Sequence, residues 1–536
     1  MIYKKYHNPK PFIHQSSHII MLNIKPRDYQ KAIFETAKDK NTLVVLPTGI
    51  GKTLIALLLT IERLKKYPGS KILILAPTKP LVEQHFQSFK EQLPELFADL
   101  QLFTGAVPPK QRQKIWQTAE VIFSTPQCIA NDLKNYLYDT KDVSLLVIDE
   151  AHRCIKNYDY TKVVSFYKQQ TPPELQRILG LTASPGSEED KVKQICKNLA
   201  IEEVEIRSRD SKDVKPYLQN LEFNKIEVPF PPEFMEIREL LKTIFNKKVE
   251  QLKSRKLLFG PANKITLLQL QGKLAARASQ RNFNVLAGMS LCAQAIKISH
   301  AIELLETQTL SGLKEYLQGI VKQAEEKKSK GVQVLVKSEE FKKALLFLNR
   351  LLSKKIEHPK IEELKALIEN QISTEKNPKI IVFTQFRETA QKIALNLNTL
   401  EKIKAKVFVG QTKKTSSLGT SGLNQKEQKK VIEEFREGKI NIICATSIGE
   451  EGLDIPEVSA VYFYEPVPSA IRKIQRTGRT ARLSPGKLFI LITKGTRDQI
   501  YHYVSSARER KMYRTIHNIK EEIKNNNKIK TLDDFK

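Results

Sequence analysis

The stretch LVVLPTGIGKT, residues 43–53, constrains the fold most, because it reads as a strand, a tight turn and a helix in immediate succession. Leu43 to Leu46 form an apolar, β-branched run, Pro47 to Gly51 a turn, and Lys52 onward an apolar-periodic helix. Gly49 and Gly51 let backbone N–H groups turn toward phosphate oxygens where a side chain would clash, and the helix N-terminus adds partial positive charge. Pro47, Thr48, Gly49, Ile50, Gly51, Lys52 and Thr53 are therefore candidate ATP-binding residues. Lys52 would reach the β and γ phosphates, and the Thr53 hydroxyl would ligate Mg²⁺ beside them. The strict pattern asks for glycine at 46, where this chain carries Leu46.

Alone, such a loop also suits a structural turn. A second run, LLVIDEAHR at 145–153, decides the matter: a strand from Leu145 to Ile148 ends in two adjacent carboxylates. Asp149 would hold Mg²⁺ and Glu150 would orient or deprotonate the attacking water. Setting confirms the motif, and the pair reads as a nucleotide-hydrolysing site.

The same strand-and-helix alternation runs from Pro26 to about Glu205, through KILILAP (71–77), VIFSTP (121–126) and ILGLTAS (178–184). It returns in KIIVFTQF (379–386), KVFVG (406–410), INIICAT (440–446), AVYFYEP (460–466) and KLFILIT (487–493). Two α/β domains in series, each a parallel sheet covered on both faces, are expected. Between about Phe230 and Lys365 strand signals vanish and long amphipathic segments take over, so this part is helical. The expected plan is a flexible tail at 1–24, a first α/β domain at 25–215, a helical insert at 216–365, a second α/β domain at 366–505, and a basic C-terminal tail or frayed helix at 506–536. Met21 is a second candidate start.

A chain of 536 residues is too long for one core, and its hydrophobic fraction of 40% suffices for several. With 89 Lys and Arg against 59 Asp and Glu, the net charge of +30 points to a polyanionic partner, nucleic acid ahead of membrane. A lysine-rich solvated surface would give the same balance, so the charge supports the motifs without replacing them. In the insert, Lys253, Arg255, Lys256, Arg277 and Arg281 are candidates for phosphate contacts, a connecting bundle being the plainer reading. Cysteines 128, 154, 196, 292 and 444 form no CxxC pair, which argues against a disulfide scaffold or zinc site and for a reducing, cytoplasmic setting. No apolar run approaches the roughly 18 residues of a membrane span, and the N-terminus lacks the apolar region of a secretory signal.

The segment IQRTGRTAR at 474–482 offers three arginines after a strand. If helical, it would bring Arg479 and Arg482 to one face at i, i+3 spacing, as catalytic arginines reaching the γ-phosphate from the second domain. Such a finger adds on the order of 10³ to 10⁵ in rate.

The ordered set PTGIGKT, APTKP, FTG, STPQ, DEAH, TAS, VFTQF, ATSIGEEGLD and QRTGRTAR resembles a superfamily 2 helicase, in which the P-loop flexibility comes from Gly49. The string from GEEGLD through QRTGRTAR, the segment GLNQKEQ at 422–428 and the helical insert are similar to archaeal Hef and the Fanconi anaemia M translocase. That resemblance implies two tandem RecA-like domains around an all-helical insert. It implies that Gln30, with Arg27, reads adenine, and that Gly452 and Asp454 sit by the ribose. His152 and Gln475 would couple the domains, and Thr182 and Ser184 would relay phosphate state. Thr78, Lys79, Thr104, Gly105, Thr125, Gln385 and Thr446 would lie along the nucleic-acid track, although turn chemistry alone also explains Thr104 and Thr125. Position 481 is Ala where many relatives carry Gly.

The implied activity is ATP-dependent, Mg²⁺-requiring 3′ to 5′ translocation on forked, four-way or single-stranded DNA in replication-fork repair. The alternatives are an RNA-directed ATPase similar to duplex-RNA sensors and Dicer helicases, and a DNA clamp that recruits a nuclease. Hef proteins continue into a nuclease. Here Glu509, Arg510 and Lys511 spell part of its motif, but Thr515 stands where an Asp is required and no Gly-Asp precedes it, so these residues are read as the charged last helix of the motor. Either the sequence stops short of the nuclease or the nuclease is a separate polypeptide, and a separate nuclease subunit or a sliding clamp is then the expected partner.

Overall fold

A computed structural model of the chain describes residues 25–94, 97–277, 282–412, 414–416, 419–449, 455–481 and 484–533. The first half contains α1 (Asp28–Asp39), β1 (Thr42–Val45), α2 (Lys52–Lys66), β2 (Lys71–Leu75), α3 (Lys79–Gln92), β3 (Leu100–Phe103), α4 (Pro109–Thr118), β4 (Val121–Ser124), α5 (Pro126–Lys134), β5 (Val143–Ile148), α6 (Asp159–Gln170), β6 (Ile178–Thr182), α7 (Glu189–Asn198) and β7 (Glu203–Ile206). Its strands pair in parallel in the order β3-β4-β2-β5-β6-β1-β7. Helices cover both faces, so β1, β2, β4, β5 and β6 are buried along their whole length, which is why they read as continuous apolar runs.

The second half contains β8 (Leu221–Val228), α8 (Pro232–Ser254), α9 (Lys264–Ala276), α10 (Phe283–Thr307), α11 (Leu310–Glu325), α12 (Lys330–Lys337), α13 (Glu339–Ser353), α14 (Lys360–Thr374), β9 (Ile380–Phe383), α15 (Arg387–Leu397), β10 (Ala405–Phe408), a hairpin of β11 (Lys414–Ser416) and β12 (Gly419–Ser421), α16 (Gln425–Arg436), β13 (Ile442–Ala445), β14 (Ala460–Phe463), α17 (Ala470–Thr477), β15 (Gly486–Thr493) and α18 (Arg497–Asp533). The second parallel sheet runs β10-β13-β9-β14-β15-β8. Counted from its own first strand, each sheet has the order 3-4-2-5-6-1, and β7 extends the first.

The expected plan changes at two places. Residues 221–228 fall within the expected helical insert, yet β8 pairs with β15 from Leu221 opposite Gly486 to Val228 opposite Thr493. As an edge strand it carries Glu222, Asn224, Lys225 and Glu227, so it gives no apolar signal. The helices α8–α13 are thus inserted between the first and second strands of the second sheet, while Ile361, Leu364 and Ile368 of α14 pack in that sheet's core. Secondly, the C-terminal segment is no loose tail through its middle. Met512, Ile516 and Ile519 of α18 return to the first sheet and are buried with Val192, Ile195 and Val204.

One helix departs from the reading of apolar runs. By length and composition α10 is apolar enough to cross a membrane, but it lies against α8 and α9 and buries Ile298, Ala301, Ile302 and Leu305 in the bundle core. A polar joint fixes the bundle to the second sheet. Lys360 Nζ donates to Asp498 Oδ2 at 2.9 Å and to Thr307 O at 2.7 Å, with both charged side chains fully buried. Gln308 Oε1 accepts from Thr389 Oγ1 at 2.9 Å, and Arg497 Nη1 donates to Ser299 O at 2.7 Å.

Candidate nucleotide site and nucleic-acid edge

Leu46 stays in the strand ladder, its N–H donating to Thr182 O at 3.0 Å, so the chain turns only after it and no glycine is needed there. Gly49 and Gly51 then take left-handed backbone, φ 83° and 82°, and Gly51 leads directly into α2. The first amides of α2 have no acceptor within their own helix and open onto this turn. Lys52 Nζ folds back to donate to Leu46 O at 3.3 Å. Behind the loop, Tyr29 Oη donates to Ile50 O at 2.5 Å and Gln30 Nε2 to Gly51 O at 3.1 Å, while Gln30 Oε1 accepts from the Arg27 N–H at 2.9 Å. In this conformation Gln30 braces the loop, with the Arg27 guanidinium 5.2 Å from the Tyr217 ring centre.

In the sheet, β6 separates β1 from β5, so Thr182 lies between the phosphate loop and the two carboxylates. Asp149 Oδ1 accepts the Glu150 N–H at 2.9 Å, and Oδ2 lies 2.9 Å from His85 Nε2. Tyr160 Oη donates to the Asp149 carbonyl at 2.7 Å. Burial pushes the Asp149 carboxyl upward, but the His85 hydrogen bond and the Lys52 ammonium outweigh it and hold it below its ordinary value.

Glu150 takes a left-handed φ of 48°, a strained conformation for a residue with a side chain. Its Oε2 is buried without a hydrogen-bond partner among the described residues and lies 3.3 Å from His152 Nδ1. The same Nδ1 is 3.2 Å from Thr182 Oγ1, which accepts the Ser184 N–H at 3.1 Å. Ser184 Oγ donates in turn to Met512 Sδ of α18 at 2.7 Å. An ionised buried carboxylate near Lys52 and a Glu150 oxygen with no hydrogen-bond partner among the described residues fit a divalent cation and an attacking water beside the phosphate loop.

The second domain reaches this loop directly. A β-carbon on Gly478 would fall 1.3 Å from Thr48 Oγ1, so only glycine permits the approach. A cavity of about 750 Å³ extends from this contact and is lined by Thr48, Arg209, Lys215, Lys473, Gly478 and Tyr513. The expected helix stops early: α17 ends at Thr477, so half-buried Arg479 sits in the following turn and the i, i+3 argument for Arg479 and Arg482 fails. Ala481 takes φ 55°, the left-handed conformation that suits a glycine better. Gln475 is buried on α17. Arg482, Gly452 and Asp454, like Arg281 in the insert, lie outside the described residues.

The track residues fall just beyond carboxyl ends of strands. Thr78 immediately precedes α3 and Lys79 opens it after β2; Thr104 and Gly105 follow β3, and Thr125 immediately precedes α5 after β4. Gln385 follows β9 and Thr446 follows β13. Thr104 Oγ1 accepts the Ala106 N–H at 3.3 Å, the turn bond that the plainer reading requires. In the insert Lys253, Lys256 and Arg277 are exposed, and Arg255 Nη1 donates to Asn284 Oδ1 at 3.1 Å.

Sequence reasoning missed His85 and Glu465. The first had a signal, since Val82, His85 and Phe89 form the buried stripe of α3 and a histidine in such a stripe needs a partner. Fully buried Glu465 accepts the Gln385 N–H at 2.5 Å and the Thr384 hydroxyl at 3.1 Å.

Three family models match: "DEAD/DEAH box helicase" over 27–192, "Putative ATP-dependent RNA helicase, helical bundle" over 233–356, and "Helicase conserved C-terminal domain" over 359–484. Together with two like-ordered sheets meeting at a phosphate loop, they define an ATP-dependent superfamily 2 helicase.

The chain is 38% identical over 499 residues to a "Putative ATP-dependent RNA helicase" of Methanocaldococcus jannaschii, covering 92% of this chain and 61% of that protein. It is 34% identical over 501 residues to the ATP-dependent DNA helicase mph1 of Neurospora crassa, covering 90% and 42%. It thus spans about two fifths to three fifths of these curated relatives. The crystal structure of the Pyrococcus furiosus Hef helicase domain matches with TM-score 0.67 and 42% identity, over 90% of this chain and 98% of that one. The chain belongs to the Hef and Fanconi anaemia M-like family of superfamily 2 helicases.

Proposed function

We propose that this helicase is a DNA motor that hydrolyses ATP with Mg²⁺, translocates 3′ to 5′ and acts on forked or four-way DNA in replication-fork repair. The observation that carries the reading is the match of 90% of this chain to nearly the whole Hef helicase domain. Its proposed track residues lie at strand ends, and Lys253, Lys256 and Arg277 are exposed on the insert, so contact with backbone phosphate suits a motor that must step without regard to sequence.

In this reading Thr53 and Asp149 hold Mg²⁺, which when bound neutralises charge on the β and γ phosphates. Lys52 adds a fixed positive charge, and Glu150 orients the attacking water and takes its proton. Arg479 completes the site from the second domain when the cleft closes, with Gln475 and His152 between them. Gly452, Asp454 and Arg482 keep their proposed roles by resemblance. A separate nuclease or sliding clamp remains the proposed partner.

ATPase turnover on matched single-stranded, duplex, forked and four-way DNA and on duplex RNA, at stated salt, tests this. Forked or four-way DNA should stimulate most, and Lys52→Ala and Glu150→Gln should abolish the stimulated rate. The names of the helical-bundle model and of the M. jannaschii relative favour a second reading, an RNA-directed ATPase. Stronger stimulation by RNA would select it.

A further inference from the structure

Helix α3 joins three parts of the molecule. At its start, Thr78 and Lys79 stand on the proposed nucleic-acid track. On its exposed side Glu83 is 3.0 Å from Lys429 of α16, in the second domain, and 3.6 Å from Lys79. On its buried side His85 Nε2 is 2.9 Å from Asp149 Oδ2, with about nine-tenths of each side chain removed from solvent. An ionised carboxylate only accepts, so Nε2 carries the proton and donates.

Among the described residues, two hydrogen bonds therefore orient the Asp149 carboxylate. The one from the Glu150 N–H is local to the strand end and cannot respond to a distant event. The other comes from α3, whose position is set jointly by its packing on β4, with Phe89 5.1 Å from Phe123, by the pair with Lys429, and by whatever Thr78 and Lys79 hold.

We propose that His85 is a positioning residue through which α3 links nucleic-acid engagement, and the seating of the second domain, to the orientation of the metal-holding Asp149. The link rests on the proposed function for the nature of the polymer and on Asp149 as metal ligand. A partner that orients a ligating carboxylate is worth roughly 10- to 100-fold in metal affinity. Nucleic acid that fixes α3 fixes His85, and a correctly turned Asp149 follows.

The test uses the full chain with His85→Ala and His85→Gln, the second keeping an N–H donor. Mn²⁺ binding with ADP, followed by electron paramagnetic resonance, reads metal affinity without turnover. Fluorescence anisotropy reads nucleic-acid affinity, and ATPase with and without DNA or RNA reads stimulation. His85→Ala should weaken Mn²⁺ binding about 10-fold or more and lower the stimulation ratio, with nucleic-acid affinity little changed. His85→Gln should recover part of both, and matching far-ultraviolet circular dichroism would establish that both variants fold.

Parental Mn²⁺ affinity in His85→Ala would overturn the proposal. Weakened Mn²⁺ binding with an intact stimulation ratio would overturn the link and leave His85 a static support. If neither DNA nor RNA stimulates the unaltered protein, the proposed function fails and the link with it, while the Mn²⁺ measurement still decides whether His85 orients Asp149.

Discussion

The first strands of the two sheets occupy the same place in the same topology, but the chain leaves them in completely different ways. After β1 it turns through two left-handed glycines into Lys52 and Thr53, and the amides of α2 open onto the turn. After β8 it runs Pro229, Phe230, Pro231, Pro232 into α8. Three prolines remove three N–H donors, and Phe230 packs into the bundle core, with Phe234 5.8 Å away edge-on and the Arg238 guanidinium 4.6 Å from its ring centre. One strand end offers free amides to the anion of the proposed reading, and the other, without them, leads into the helical bundle. Topology sets where a site can form, and a few residues at the turn set whether it does.

The largest expected effects would break this contrast most directly. In Gly51→Ala the new β-carbon would displace the Gln30 amide that braces the loop, 2.3 Å away, and would strain the turn at a φ of 82°. ATP turnover should fall by about 10²-fold or more, as for loss of a preorganised donor, with little change in thermal unfolding. Phe230→Ala at the matching place should do the reverse, keeping turnover while costing about 3–5 kcal/mol in denaturant titration. Equal loss of turnover in both would mean that the two strand ends are not functionally distinct.

The second sheet's dependence on the bundle comes next. Lys360→Met strands the fully buried Asp498 without its cation and should destabilise the chain by about 3–5 kcal/mol. If bundle and second sheet unfolded in separate transitions in the unaltered protein, the buried joint would not make them one body. Ile516→Ala probes the opposite dependence, since this residue of α18 lies in the core of the first sheet. A loss of about 2–5 kcal/mol is expected, read from the denaturant midpoint.

Both sheets were legible because strands buried on two faces are apolar throughout, and the phosphate loop was legible because glycine spacing and a strand-to-helix setting coincide. Strand β8 escaped because its polar edge carries none of that signal. The stripe of Met512, Ile516 and Ile519 has the i, i+4, i+7 spacing of a packed helix, but lysines and arginines around it suggested solvent, and its partner lies more than 300 residues earlier in the chain. The helical reasoning that set Arg479 and Arg482 on one face does not hold, since α17 stops at Thr477. Nothing in the sequence connects His85 to Asp149, which meet only through the order of the strands.

The smallest expected effect concerns the carboxylates at the fifth strand of each sheet. Asp149 directly follows β5 and Glu465 lies two residues past β14, yet they shift in opposite directions. His85 and Lys52 hold Asp149 down against burial. At Glu465 burial wins, with Asp498 adding to it and Lys360 and Arg476 opposing, and the carboxyl is pushed up to about 7. A carboxyl raised in the folded state contributes stability that is complete below the ordinary glutamate value and is lost as pH rises through about 7. The depressed Asp149 contributes stability that is lost only in acid, below the ordinary aspartate value. Melting temperature followed from about pH 5 to pH 8 should therefore fall more in the unaltered protein than in Glu465→Gln, whose side chain is neutral throughout that window. Parallel curves would show that Glu465 is ionised across the range, as Asp149 is, and that the two strand ends share one electrostatic character after all.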